Sequence, residues 1–221
     1  MKHLIAISFL AAAHLAGQPF NILSPEEQKQ GYTLLFNGKN LNGWDGDKVL
    51  WTVQDGVIVG CSDDHPFIVN TFLIYKEEFS DFEMKADIRL RNHNSGIQFR
   101  SVHIPGPNWI VMGYQADASD EPGREAWGNF YEERGRSRTT MKTPDEGWLK
   151  AKSVVDMHGW NHYEILAQGD HIRLTLNGLV TIDTHDSKSR SGVIAFQLHG
   201  GKPMKVEFRD IKLRKLPAVS Q

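Results

Sequence analysis

The chain has 221 residues, with 25 Lys plus Arg against 27 Asp plus Glu and a net charge of -2, so it lacks the basic field that attracts nucleic-acid phosphates or anionic lipid. Its 40% hydrophobic and 24% charged residues are ordinary globular composition, which excludes a disordered or fibrous chain and is sufficient for one sizeable core. Cys61 is the single cysteine, so no intramolecular disulfide contributes.

In chain order, Lys2 and His3 precede an apolar run from Leu4 to Ala13 and small residues up to Gly17, the pattern of a secretory signal. Export to the periplasm or outside the cell is therefore expected, with residues 1–17 removed. The apolar run is too short for a membrane span, and no insertion into a membrane is expected. Residues 18–30 read as a linker with one helical turn capped by Ser24.

From residue 31 the pattern is β. Val53 and Val57 flank Asp55-Gly56, a hairpin signal. Asp63-Asp64-His65 has metal-ligand chemistry, but such a triplet more often marks a solvated turn. Phe82, Met84, Ala86, Ile88 and Leu90 alternate with Glu83, Lys85, Asp87 and Arg89, the period of a half-buried strand. Residues 101–109, with Pro105-Gly106-Pro107, and 137–157 break the alternation and predict long rim loops. His158 and His162 flank Gly159-Trp160-Asn161, which predicts a loop and a strand start rather than zinc ligands on a helix. Ile172, Leu174 and Leu176 lead through Asn177-Gly178 to Val180 and Ile182, a second hairpin. Near the end, Val206 and Phe208 keep even register while Ile211 and Leu213 keep odd, so a bulge is predicted at Arg209 and Asp210. No segment after the leader sustains a helical period, and the fold class expected is all-β, an antiparallel sandwich or jelly roll.

Four segments carry polar side chains on one strand face. Gln98 and Arg100 alternate with Ile97 and Phe99; Gln115 and Asp117 share a face with Gly113; Tyr131 and Glu133 share another; Gln197 and His199 oppose Ile194, Phe196 and Leu198. Taken singly each is the wet face of an antiparallel strand. Together with Trp109 and Trp127 they make the inventory of a sugar site, rings for pyranose faces and planar polar groups for hydroxyls.

The stretches 31–44, beginning Gly31-Tyr32-Thr33, Asn94 to Arg100, Gly113 to Asp117, Trp160 to Ile165, Leu176-Asn177-Gly178 and Phe208 to Leu213 together resemble the 3-keto-disaccharide hydrolase domain family over residues 31–217. Phe130 to Arg136 departs from the commonest family pattern and looks like a subgroup. The resemblance implies a concanavalin-like jelly-roll β-sandwich of two antiparallel sheets with a concave sugar-binding face. It also implies glycosides oxidised at carbon 3 as substrates, supplied by a sugar oxidoreductase. No cofactor is implied, and a structural calcium ion stays open.

A ketone at carbon 3 acidifies the hydrogen on carbon 2, so a base forms an enolate that expels the group on carbon 1 before water adds. That chemistry needs a base, donors for the enolate oxygen and an acid for the leaving oxygen. Glu133, Asp117 and His199 are the candidate acids and bases. Gln98, Arg100, Gln115 and Gln197 are the candidate donors, with Tyr131 and Trp127 as sugar platforms. Glu133 is the first choice of base, with Arg134 and Arg136 expected to lower its pKa and burial to raise it. Three alternatives remain at this stage: a paired-carboxylate glycosidase using Asp117 and Glu133, a non-catalytic carbohydrate-binding module, and a surface interaction domain.

Overall fold

The computed structural model describes residues 20–67, 69–136 and 145–219; the secretory signal expected over residues 1–17 lies outside them. Turn chemistry sets the first pairings. Asp55 and Gly56, at φ 49° and 79°, join β3 (Trp51–Gln54) to β4 (Val57–Cys61), and Asn177 and Gly178, at 48° and 82°, join β11 (His171–Leu176) to β12 (Leu179–His185). Two successive positive φ values suit the right-handed twist of the flanking strands, and Asn-Gly and Asp-Gly tolerate them.

The remaining strands are β1 (Thr33–Leu34), β2 (Trp44–Asp45), β5 (Thr71–Phe79), β6 (Phe82–Leu90), β7 (Asn94–Ile104), β8 (Ile110–Ser119), β9 (Phe130–Glu133), β10 (Asn161–Gln168), β13 (Gly192–Leu198) and β14 (Lys205–Lys215). They form two antiparallel sheets. One has the order β12-β11-β10-β6-β14-β4-β3 with β1 added on β14, and the other the order β2-β5-β13-β7-β8-β9. This is the expected sandwich.

Strand alternation builds the core between the sheets. All five apolar residues of β6 are buried, as are Ile97, Phe99, Ile194, Phe196 and Leu198 from the facing sheet. Phe196 stacks on Phe208 across the gap with centroids 3.9 Å apart and planes at 6°. Removing such a ring costs about 3–5 kcal/mol. The register of β14 against β6 shifts between Arg209 and Lys212, and Asp210 sits at φ 53°. Val206 and Phe208 before the shift and Ile211 and Leu213 after it are all buried, as the parity switch requires.

Two expectations from the sequence are corrected and one is met. The helical turn expected in the linker forms as α1 (Pro25–Lys29), capped by Ser24 and Glu27, and contacts with β14 tie this segment to the larger sheet. Asn21 exchanges two hydrogen bonds with Asp210 at the bulge, and Glu27 accepts from Lys212. The loop expected over residues 101–109 is shorter, because β7 continues to Ile104 and only residues 105–109 connect it to β8 at Ile110. Residues 145–157, placed in a loop, contain α2 (Glu146–Ala151), whose Trp148 N–H donates to Asn129 Oδ1 at 2.8 Å.

The long β7–β8 hairpin positions the functional face. Its register shifts between Phe99 and Val102, where Arg100 adopts φ 47°. Past that bulge the hairpin folds back over the outer face of its own sheet. Phe72 N–H donates to Trp109 O at 3.0 Å and Thr71 Oγ1 to Asn108 O at 2.9 Å. Val111 completes a small apolar cluster there with Phe72, Ile74, Val193 and Ala195. Gly113 permits the close approach, since a Cβ there would lie 2.6 Å from Ser101 Cα. Among the described residues no helix is long and apolar enough to cross a membrane.

Candidate active site

The rest of that outer face carries the polar residues, and Gln98, Gln115, Asp117, Glu133 and Gln197 are all buried there. Register alone brings Gln98, Gln115 and Tyr131 side by side across β7, β8 and β9, with Gly96 opposite Asp117 and Gly113 opposite Glu133. Ser101 Oγ donates to Gln98 Oε1 at 2.8 Å, Gln98 Nε2 donates to Gln115 Oε1, and Gln115 Nε2 donates to Asp117 Oδ1 at 2.5 Å. A chain of side-chain dipoles thus ends on a carboxylate. Gly96 makes room for it: a Cβ there would meet Gln115 Cγ at 2.6 Å.

Glu133 is 7% exposed. Gln197 Nε2 donates to its Oε2 at 3.2 Å and Asn70 Nδ2 to its Oε1 at 3.3 Å, while Arg134 Nε stands off at 4.0 Å. Burial pushes the Glu133 carboxyl above the ordinary glutamic range, and the amides and Arg134 offset this only in part. Arg136 is not a partner; it pairs with Glu132 and with Asp186 at 2.7 Å, on the opposite face of the strand. Gln197 Oε1 is buried and has no hydrogen-bond partner among the described residues, a vacancy that suits a ligand hydroxyl. The Tyr131 hydroxyl is held up first by burial and then by the charges of Glu133, Asp117 and Glu132, so it stays a neutral donor.

His199 ends the face at the rim. Its Nδ1 lies 2.7 Å from Gly200 O and 3.0 Å from His93 Nε2, and His93 Nδ1 lies 2.7 Å from Glu121 Oε1. Burial, and then the neighbouring His93, lower the His199 pKa below the usual imidazole value, against the Gly200 carbonyl. Gly200 N–H donates to Asn70 Oδ1 at 3.1 Å, so one asparagine ties this corner to Glu133.

Two residues nominated from the sequence lie elsewhere. The positive φ of Arg100 turns its side chain off the face, and Ser101 takes the place beside Gln98. Arg100 is fully buried, with Nε donating to Ser80 O at 2.7 Å, Nη1 to Gly169 O at 2.7 Å and Nη2 to Asp81 Oδ1 at 2.9 Å. It ties the turn at Ser80 and Asp81 to the one at Gly169 and offers nothing to a substrate. Trp127 is also fully buried, donating from Nε1 to Asp120 Oδ1 at 2.5 Å and stacking on Tyr163. It belongs to the core, because its turn points inward. Trp109 at the hairpin tip is the accessible ring instead; with Phe67, Val69 and Pro107 it walls a cleft of about 350 Å³ beside Asn70. Asn70, His93 and Glu121 were not visible as site residues, since each lies outside the alternating strand patterns. Among the described residues no three His, Cys, Asp or Glu side chains converge as a metal-ligand set.

No curated protein matches the chain in sequence. A candidate glycosyl hydrolase from Parabacteroides distasonis ATCC 8503 superposes with a TM-score of 0.65 at 24% identity, over 90% of this chain and 100% of that one. The carbohydrate-binding module CBM66 from Bacillus subtilis gives 0.50 at 20% identity, over 77% and 94%. A Bacillus subtilis protein of unknown function with a galectin-like fold gives 0.54 at 13% identity, over 79% and 90%. At these identities the likeness is one of fold, and it agrees with the jelly-roll sandwich. The family model of the 3-keto-alpha-glucoside-1,2-lyase-like domain matches residues 31–214, nearly the whole sandwich, and the chain belongs to that family.

Proposed function

We propose that the protein cleaves glycosides bearing a ketone at carbon 3, by elimination across carbons 1 and 2 with Glu133 as the base. The observation that carries this reading is the state of Glu133: a carboxylate buried among amides on a polar strand face, with its pKa raised above the ordinary glutamic value by that burial. Family membership supports this substrate class.

Glu133 takes the proton from carbon 2, and the electron pair moves into the enolate at the carbon 3 oxygen. The amide N–H groups of Gln98 and Gln115 are preorganised by their chain of bonds to receive that charge. Collapse of the enolate restores the ketone, forms a double bond between carbons 1 and 2 and breaks the bond from carbon 1 to the leaving oxygen. Tyr131, held neutral, gives that oxygen a proton, while Asp117 and the vacant Gln197 Oε1 accept sugar hydroxyls. Water added across the double bond completes a net hydrolysis. His199 and the Trp109 cleft border the aglycone side.

Purified protein incubated with 3-keto-glycosides and their unoxidised parents tests the reading. Aglycone release from the oxidised set alone is expected, with loss of a carbon 2 deuteron to solvent. Glu133→Gln keeps the shape and should lower turnover by about 10²–10⁴-fold while sugar binding survives. Unchanged turnover in that variant removes Glu133 from the mechanism. Sugar binding by the wild type with no turnover of either set makes the protein a carbohydrate-binding module.

A further inference from the structure

Behind the rim, three electron-rich atoms face one another. His93 Nε2, His199 Nδ1 and the Gly200 carbonyl oxygen form a triangle with edges of 3.0, 2.7 and 3.2 Å. Glu121 Oε1 accepts from His93 Nδ1 at 2.7 Å, which places the proton of a neutral ring on Nδ1 and leaves Nε2 as a lone pair facing the triangle. A single proton on His199 Nδ1 then faces two acceptors, Gly200 O at 2.7 Å and His93 Nε2 at 3.0 Å. Those two acceptors face each other at 3.2 Å with no proton between them.

A cation resolves the conflict. Ligand bonds of about 2.1 Å at right angles set neighbouring ligand atoms about 3.0 Å apart, and the three edges scatter around that length. A carboxylate on the remote nitrogen of an imidazole is the arrangement that fixes the tautomer and raises the basicity of a metal-bound histidine.

The geometry points to a divalent transition-metal site formed by His93 Nε2, His199 Nδ1 and Gly200 O, with Glu121 holding His93 from behind. Two imidazoles with one carbonyl favour Co²⁺ or Ni²⁺ over Ca²⁺, and the right angles suit their octahedral coordination better than the tetrahedral preference of Zn²⁺. Three ligands on one side leave positions for oxygen atoms of water or substrate. His93 and Gly200 are buried while His199 is half-buried, so the approach is from the rim. Lys202 Nζ, 3.9 Å from Glu121 Oε1, is the nearby cation that competes for that carboxylate. Through Gly200 N–H and Asn70 the ligands connect to Glu133, so an ion here, on the aglycone side, has the place to draw charge from the leaving oxygen. That chemical role rests on the elimination reading; the site itself does not.

The test is titration of chelator-treated protein with CoCl₂, followed by calorimetry and visible absorption. One equivalent bound at micromolar affinity or tighter is expected. His93→Ala and His199→Ala should each weaken it by roughly 100-fold or more, Glu121→Gln by about 10–100-fold, and a double substitution of the exposed pair His171 and His185 should leave it unchanged. Histidine ¹⁵N resonances of the wild type titrated with ZnCl₂ should shift for His93 and His199, a readout independent of whether a variant folds. No stoichiometric binding, or binding that survives both alanine variants or follows His171 and His185, overturns the site. Binding without turnover retains the site and rejects the elimination; turnover by fully stripped protein retains the elimination and removes the ion from its chemistry.

Discussion

The outer faces of the two sheets carry similar side chains and treat them in opposite ways. On the larger sheet every prominent carboxylate has a cation against it. Asp87 accepts from His162 Nδ1 at 2.8 Å and Arg209 Nε at 3.1 Å, and Glu207 accepts from Arg89 Nε at 2.6 Å with Lys205 at 3.2 Å. Trp160 lies under both guanidinium groups, 4.7 Å from Arg89 and 4.1 Å from Arg209. Burial raises the pKa of Asp87 and of Glu207, but these partners outweigh it and hold both below their usual values. On the smaller sheet Glu133 is buried more deeply, receives amides instead of close cations, and shifts upward. A carboxylate matched by cations holds strands together, whereas one matched by amides keeps a proton affinity that chemistry can use.

Arg100 gives the comparison its largest test, because it is a fully partnered charge inside the sheet that carries the site. Arg100→Ala strands Asp81 and the turn carbonyls, and the urea midpoint should report a loss of about 3–5 kcal/mol. A loss under about 1 kcal/mol would break the idea that full pairing marks a structural role. The next effect is kinetic. Turnover needs ionised Glu133, so kcat/KM should fall about tenfold per pH unit on the acid side, with a midpoint above the 4.5 of an ordinary glutamic acid. A midpoint below 4.5 would place Glu133 with the paired carboxylates of the other face.

Asp87→Asn should cost about 1 kcal/mol at pH 7. Its folded pKa is depressed, so the wild-type advantage is fully present above the unfolded value near 3.8 and disappears as pH falls through the lower folded value. Melting curves of the two proteins should therefore converge in acid. Glu133→Gln has the smallest effect and the opposite sign. The raised folded pKa means that its ionised form destabilises the fold, so wild-type stability declines as pH rises from 4.5 through the folded pKa. The variant should melt no lower than wild type at pH 7, and any advantage should vanish below pH 4.5; a lower melt at neutral pH would show that the Asn70 and Gln197 contacts stabilise more than burial costs.

Much of the fold was legible in residue order. The Asp55-Gly56 and Asn177-Gly178 hairpins stand where their dipeptides put them, β6 buries every second residue, and the parity change between Phe208 and Ile211 foretold the β14 bulge. On the site face Gln98, Gln115, Asp117, Tyr131, Glu133, Gln197 and His199 share the expected side of their strands. Arg100 broke the same rule because a positive φ at a bulge rotates one residue out of the alternation, and nothing in its neighbours announces that as the 206–213 pattern did for Asp210. Trp127 was misplaced because a ring in a turn has no periodicity to say which way it faces.

By itself, then, the sequence determined which face of each strand is apolar and where hairpins turn, since alternation and turn preference are properties of a few adjacent residues. Only the tertiary structure decided what stands opposite each polar group. Glu133 meets Asn70 and Gln197 across 63 and 64 residues, and His93 meets His199 across 106. Proton affinity and ligand geometry depend on those distant neighbours and on exclusion of water, and both arise only when the sheets have closed.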